Sequence, residues 1–146
     1  MNRLQGKVCV ITGAGGGMGA DAAHLFTEEG AQVCVADVDL GAAEKVAGEV
    51  GGLAVQVNVA EEDSVRAMYA AAKERFGGID VLYNNAGISP ADDDSILDTD
   101  LDAWERVHAE LATEAALLEA AERRRDAHGR VRVDGEDAGV DRPRDA

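Results

Sequence analysis

A chain of 146 residues with 46% hydrophobic side chains is long enough to bury one substantial core and suits a single globular domain. Its formal charge of −15 sets it against nucleic acid, whose phosphates would repel it before any contact formed. The longest apolar runs are strand-sized and the N-terminus runs straight into a strand pattern, so neither a membrane span nor a cleaved targeting segment is expected and the cytoplasm is the expected compartment.

Residues 7–12 (Lys-Val-Cys-Val-Ile-Thr) form a short apolar run ending in glycines, predicted as a strand buried on both faces of a parallel sheet. A helix is expected from Gly19, with Ala22, Ala23 and Phe26 at helical spacing and Gly30 stopping it. Gln32–Asp37 reads as a second strand, Leu40–Val50 as a second helix and residues 53–58 as a third strand after the Gly51-Gly52 turn. A third helix over Glu62–Phe76 ends at Gly77-Gly78, and residues 79–85 read as a fourth strand. This βαβαβαβ order requires parallel pairing with right-handed crossovers, which predicts an α/β fold with a Rossmann-like, doubly wound parallel sheet.

After a polar loop through Asp92-Asp93-Asp94, Asp100 is placed to cap a fourth, long helix with Leu101, Trp104, Val107, Leu111, Ala115 and Leu118 on one stripe. The sheet is thus expected to be truncated after about four strands plus this helix, giving a dinucleotide-binding domain over residues 1–120. Residues 121–146 differ in kind: they hold seven basic and seven acidic side chains, against seven and 22 in residues 1–120, and no Leu, Ile or aromatic residue to build a core. That tail is expected to be disordered. All its residue types are encoded by codons beginning with G or C, as a shifted frame in GC-rich DNA yields, so a frame-shifted or early-ended gene product is a further expectation.

Cys9 and Cys34 each sit in a Val-rich strand pattern, as small buried thiols rather than a disulfide or ligands. Three histidines, His24, His108 and His128, show no zinc-like spacing, and the Asp92-Asp93-Asp94 run reads as solvated charge, so no metal is expected.

The chemistry-bearing segment is Thr12-Gly13-Ala14-Gly15-Gly16-Gly17-Met18-Gly19, between the first strand and the first helix. Gly13 permits a tight turn, Gly17 lets backbone amides approach a pyrophosphate, and Gly19 lets helix and strand pack closely. The aligned amides of a helix N-terminus attract such an anion. A glycine cluster alone also fits any tight turn. Asp37 closes the second strand, 24 residues after Gly13, where a carboxylate either accepts hydrogen bonds from a ribose 2′-hydroxyl or is an ordinary strand-end turn residue. The same carboxylate repels a 2′-phosphate, and no Arg or Lys lies between Lys7 and Lys45, so NAD is expected over NADP. No lysine follows the glycines, which excludes a mononucleotide P-loop.

With Thr12-Gly-x-x-x-Gly-x-Gly19, Asp37, and Asn84-Asn85-Ala86-Gly87 after the fourth strand, the chain resembles the short-chain dehydrogenases/reductases from about Leu4 to about Ala109. The resemblance implies cofactor contacts from Gly13, Gly15, Gly17, Met18 and Gly19, from Asp37, from Asn58 and Val59 beside the adenine, and from Asn85, Ala86 and Gly87 at the ribose and the sheet. Many relatives carry Asp where this chain has Asn58, and either side chain meets an adenine amino group. Trp104 corresponds to the start of the long helix.

The resemblance also implies hydride transfer between NAD and a secondary alcohol or ketone, with a Tyr as general acid/base, a Lys lowering its pKa and a Ser orienting the substrate oxygen. In the family all three lie beyond Asn-Asn-Ala-Gly. Here no Tyr or Lys follows Gly87, and the only later serines are Ser89 and Ser95. Tyr69 and Lys73 match Tyr-x-x-x-Lys, but on a crossover helix ahead of the fourth strand, and read as a helix face with a snorkelling lysine. Where relatives continue with Val-Asn, this chain has Glu110-Leu111, and nothing matches beyond. No catalytic residue is therefore assigned.

Three functions stay open: an NAD-dependent oxidoreductase taking a small alcohol or carbonyl substrate once a second chain completes the site, a catalytically silent NAD-binding module, and a non-functional fragment. Self-association through the apolar fourth-strand edge or the long helix is an expected property of each.

Overall fold

The computed structural model describes residues 1–88 and 101–109. Four strands, β1 (Val8–Thr12), β2 (Gln32–Asp37), β3 (Leu53–Gln56) and β4 (Val81–Tyr83), alternate with helices α1 (Gly17–Glu28), α2 (Leu40–Val50) and α3 (Glu62–Phe76). The strands pair in parallel in the order β3-β2-β1-β4. A further helix, α4, covers residues 101–109.

The central strand explains why the sheet is covered on both sides. Every side chain of β1 is buried, and successive residues point to opposite faces. Cys9, Ile11, Val33 and Val35 pack with Ala23 of α1 and Ala43, Val46 and Ala47 of α2. On the other face Val10, Cys34 and Ala36 pack with Val65, Met68, Tyr69 and Ala72 of α3. The doubly wound arrangement follows from this two-sided burial. It also separates the cysteines: Cys9 and Cys34 lie on opposite faces as free, buried thiols. Burial, joined by the Asp80 charge, pushes the Cys9 thiol up to about 11, and burial alone pushes Cys34 to about 12.

Helix ends follow local chemistry. Asp39 caps α2 by accepting the Ala42 N–H at 3.1 Å. The first turn of α3 carries Glu62 and Asp63 and its last turn Lys73 and Arg75, matching the helix dipole. α1 closes at Gly30, with the Ala31 N–H donating to the Phe26 carbonyl and the Gly30 N–H to that of Thr27, the paired bonds of a Schellman stop.

Except for β2, the strands are shorter than the apolar runs that encode them. β4 begins at Val81 because Asp80 takes over Val8: the Asp80 N–H donates to the Val8 carbonyl and its carboxylate accepts the Val8 N–H at 2.9 Å. β3 stops at Gln56, and the Asn58 N–H turns to the Ser64 hydroxyl at 2.9 Å. α1 opens two residues before Gly19, at Gly17.

In α4 the expected stripe is displaced. Ala103 is fully buried and Val107 half-buried, whereas Leu101 and Trp104 are 68% and 54% exposed, and Trp104 stacks on His108. The fourth-strand edge is less apolar than its sequence suggests, because Ile79 is buried and Tyr83 leans on Phe26. The Asp92-Asp93-Asp94 loop, Ser89, Ser95, the Asp100 cap, the extension of the fourth helix towards Arg123 and the 121–146 tail lie outside the described residues.

Candidate functional site

The chain moves outward from β1 through β2 to β3 and then returns to place β4 on the other side of β1. The connections leaving β1 and β4 therefore diverge, opening a crevice beyond the carboxyl ends of the strands. A cleft of about 330 Å³ lies there, walled by residues that follow all four strands.

The loop after β1 is shaped by what cannot fit in it. Gly13 has φ +61°, and a Cβ on it would lie 2.9 Å from the Ala86 Cα, so both backbone conformation and space demand glycine. Gly17, at φ +51°, turns the chain into α1. Gly19 is buried, and a Cβ there would overlap the Gly13 carbonyl oxygen, which is how α1 comes so close to the end of β1. Among the described residues no side chain caps α1, and no acidic residue stands in its first turn. Its N-terminal amides are left for a solvent or ligand acceptor.

At the end of β2, the Asp37 carboxylate is fixed at both oxygens: Oδ2 accepts the Gly15 N–H at 2.8 Å and Oδ1 accepts the Asp39 N–H at 3.0 Å. Each oxygen keeps a lone pair. Asp37 is the one charged side chain among the described residues that wall the cleft.

Beyond β3, Val57, Asn58 and Val59 form one side of the cleft, with Val38 and Met18 also on its wall. Beyond β4, Asn85 bridges back to the glycine loop: its Nδ2 donates to the carbonyls of Thr12 and Gly13 at 3.1 and 3.2 Å. The Thr12 hydroxyl in turn accepts the Asn85 and Ala86 N–H groups at 3.2 and 3.1 Å.

The sequence-derived candidates thus gather in one place. Gly13, Met18, Asp37, Asn58, Val59, Asn85, Ala86 and Gly87 wall the cleft, while Gly15, Gly17 and Gly19 stand behind it, setting the loop and holding Asp37. Reading the sequence missed Gly16, Val38, Val57 and Ile88 on the wall and Thr12 as the brace. Val38 and Ile88, 66% and 44% exposed, had a signal available: each is a large apolar residue just past a strand end, where no core covers it. Tyr69 packs in the α3 core cluster and does not wall the cleft.

Comparison with known proteins agrees with this geometry. The sequence model of the short chain dehydrogenases matches residues 7–120. Meso-2,3-butanediol dehydrogenase of Serratia marcescens is 44% identical over 108 residues, 72% of this chain and 42% of the relative. (+)-Borneol dehydrogenase 1 of Salvia officinalis is 37% identical over 107 residues, 72% of this chain and 41% of the relative. Among solved structures, a 3-ketoacyl-(acyl-carrier-protein) reductase from Brucella melitensis complexed with NADH superposes with a TM-score of 0.75 at 37% identity, covering 80% of this chain and 49% of that one. The chain spans less than half the length of each of these proteins. Match, fold and cleft together place it in the short chain dehydrogenase family of oxidoreductases.

Proposed function

We propose that this chain binds NAD and forms the cofactor-holding half of an oxidoreductase acting on a secondary alcohol or ketone. The observation that carries this reading is Asp37: a carboxylate fixed by the Gly15 and Asp39 amides and, among the described residues of the cleft wall, the one charged side chain. Such a group accepts a ribose 2′-hydroxyl and repels a 2′-phosphate, which favours NAD over NADP. The rest of the cleft fits the same molecule. The uncapped α1 N-terminus and the Cβ-free loop suit a pyrophosphate, Asn58 and Val59 suit an adenine, and Asn85 to Gly87 suit the second ribose. When bound, NAD supplies the hydride chemistry.

The chain's own residues bind and orient; none of those after Gly87 is a tyrosine or lysine able to move the proton. A second reading, a module that holds NAD without turning it over, rests on that feature. In the first reading the proton donor and part of the substrate pocket are supplied from outside the residues that build this cleft.

Isothermal titration tests the cofactor assignment. NAD should bind at least about tenfold more tightly than NADP, and Asp37→Ala should narrow that gap to about twofold, a carboxylate-to-hydroxyl contact being worth roughly 1.5–3 kcal/mol. Absence of heat with NAD overturns the reading. Steady NADH oxidation with a ketone panel by the purified chain would refute the silent module.

A further inference from the structure

We propose that Met18 is an oxidation site through which a peroxide lowers the affinity of the cleft for its dinucleotide; the effect on affinity rests on the NAD-binding reading above. The chain has three methionines, in three different settings. Met68 is sealed in the core beneath α3 at 1% exposure. Met1 is exposed, with its amino group 3.9 Å from Glu29, just past the C-terminal end of α1. Met18 is 76% exposed, stands in the first turn of α1 and walls the cleft together with Gly16 and Val38. It is the methionine at which access to a solvent oxidant and a place on the cleft wall coincide. Both cysteines are buried and do not compete for the oxidant.

In the step itself a sulfur lone pair attacks one oxygen of hydrogen peroxide, an S–O bond forms as the O–O bond breaks, and the departing hydroxide takes the proton of the transferred OH and leaves as water. Sulfur is oxidised to the sulfoxide and peroxide is reduced, with no further reactant. The product turns a flexible apolar tip into a polar one. Its oxygen lies one bond beyond the sulfur, at the place of the side-chain oxygen of a Gln or Glu. A strong acceptor is thereby added to the first turn of α1, whose amides no described side chain caps. There it competes with a pyrophosphate for the N–H donors and sets its negative end against the phosphate oxygens. The unoxidised thioether, a weak acceptor, leaves those amides to the ligand.

The test treats the whole chain with dilute hydrogen peroxide, locates the added oxygen by peptide mass mapping, and titrates NAD calorimetrically before and after. In the native protein Met18 should be oxidised at least about tenfold faster than Met68, and saturating NAD should slow it at least about threefold. The oxidised chain should bind NAD at least about fivefold more weakly, with an unchanged urea midpoint. Reduction by a methionine sulfoxide reductase should restore the affinity. Met18→Leu has no sulfur here, so its affinity after peroxide should stay within about twofold of its own value before, although Met1 is still oxidised. Met18→Gln carries the oxygen permanently and should bind NAD at least about threefold more weakly than Met18→Leu. Oxidation of Met18 no faster than that of Met68, an affinity unchanged by complete oxidation of Met18, or a peroxide-induced loss that persists in Met18→Leu overturns the proposal. A fall in the urea midpoint alongside the loss overturns it too, because unfolding would then explain the loss. No binding of NAD by the untreated chain instead overturns the cofactor reading, and the oxidation rates then decide whether Met18 is the site.

Discussion

Thr12 and Asn85 are joined reciprocally across the β1–β4 seam, the Thr12 hydroxyl accepting the Asn85 N–H and the Asn85 amide donating to the Thr12 carbonyl, at 3.2 and 3.1 Å. The hydroxyl also holds the Ala86 N–H, and Thr12 is almost wholly buried. Thr12→Val keeps the shape and removes the acceptor, stranding two part-buried amides. An unpartnered buried N–H costs about 1–3 kcal/mol, so a loss of about 2–4 kcal/mol is expected in urea unfolding. Thr12→Ser should restore most of it. A Val variant within about 0.5 kcal/mol of the unaltered protein would show that the seam is not held by this hydroxyl.

Gly13 meets Ala86 on the same seam, and it is the glycine of the loop at which a positive φ and a close backbone approach coincide. Gly13→Ala adds a Cβ 2.9 Å from the Ala86 Cα, backbone against backbone, at φ +61°. Left-handed strain and overpacking each cost roughly 1–3 kcal/mol, so the variant should unfold at markedly lower denaturant and lose NAD affinity. Gly16→Ala is the control: its Cβ meets nothing within 4 Å and its φ is extended, so its stability should stay within about 0.5 kcal/mol. Equal effects from the two would contradict the packing argument.

How much of this was legible in the sequence depends on what encodes each feature. β2, α2 and α3 have the bounds that their apolar periodicity and flanking glycines predict, because nothing outside the segment competes for their backbone. β3 ends early because the Ser64 hydroxyl takes the Asn58 N–H, and β4 begins late because Asp80 holds both backbone groups of Val8, 72 residues away. The α4 stripe misleads for a related reason: Leu101 and Trp104 satisfy the helical period, but Ala103 is the residue that is buried. At the site, Gly13 and Asp37 are readable because each residue type is demanded by one local constraint. Thr12 and Gly15 were not assigned these partners, since the roles of both are defined by residues 73 and 22 positions away.

Glu29 ties the N-terminal segment to the end of α1. It accepts the Arg3 backbone N–H at 2.9 Å and the Arg3 guanidinium at 3.1 Å, and these bonds hold its carboxyl below the ordinary value near 4.5. As pH falls, the unfolded chain takes up this proton before the native one, so the native state is progressively disfavoured. The contribution is complete above the ordinary carboxylate value and disappears as pH falls through the lowered native one. Glu29→Gln should therefore be less stable than the unaltered chain at pH 6–7, with the gap closing towards pH 3 in urea unfolding. A gap independent of pH would remove the carboxylate from the explanation.

The buried cysteines act at the opposite end of the pH range. Cys9 and Cys34, held up to about 11 and 12 against an ordinary 9.0, keep their protons in the native state where the unfolded chain loses them. The unfolded state then binds fewer protons than the native one, and stability falls as pH rises above about 9. Each thiol contributes a slope of up to about 1.4 kcal/mol per pH unit. At pH 8 neither thiol should react with a water-soluble disulfide reagent in the native protein, and both should react in denaturant. Cys34→Ala removes one titrating group and should flatten the alkaline decline measured between pH 9 and 10.5. Tyrosine and lysine ionisation is common to both proteins, so identical slopes would mean that Cys34 is not shielded by the sheet and α3 as its position implies.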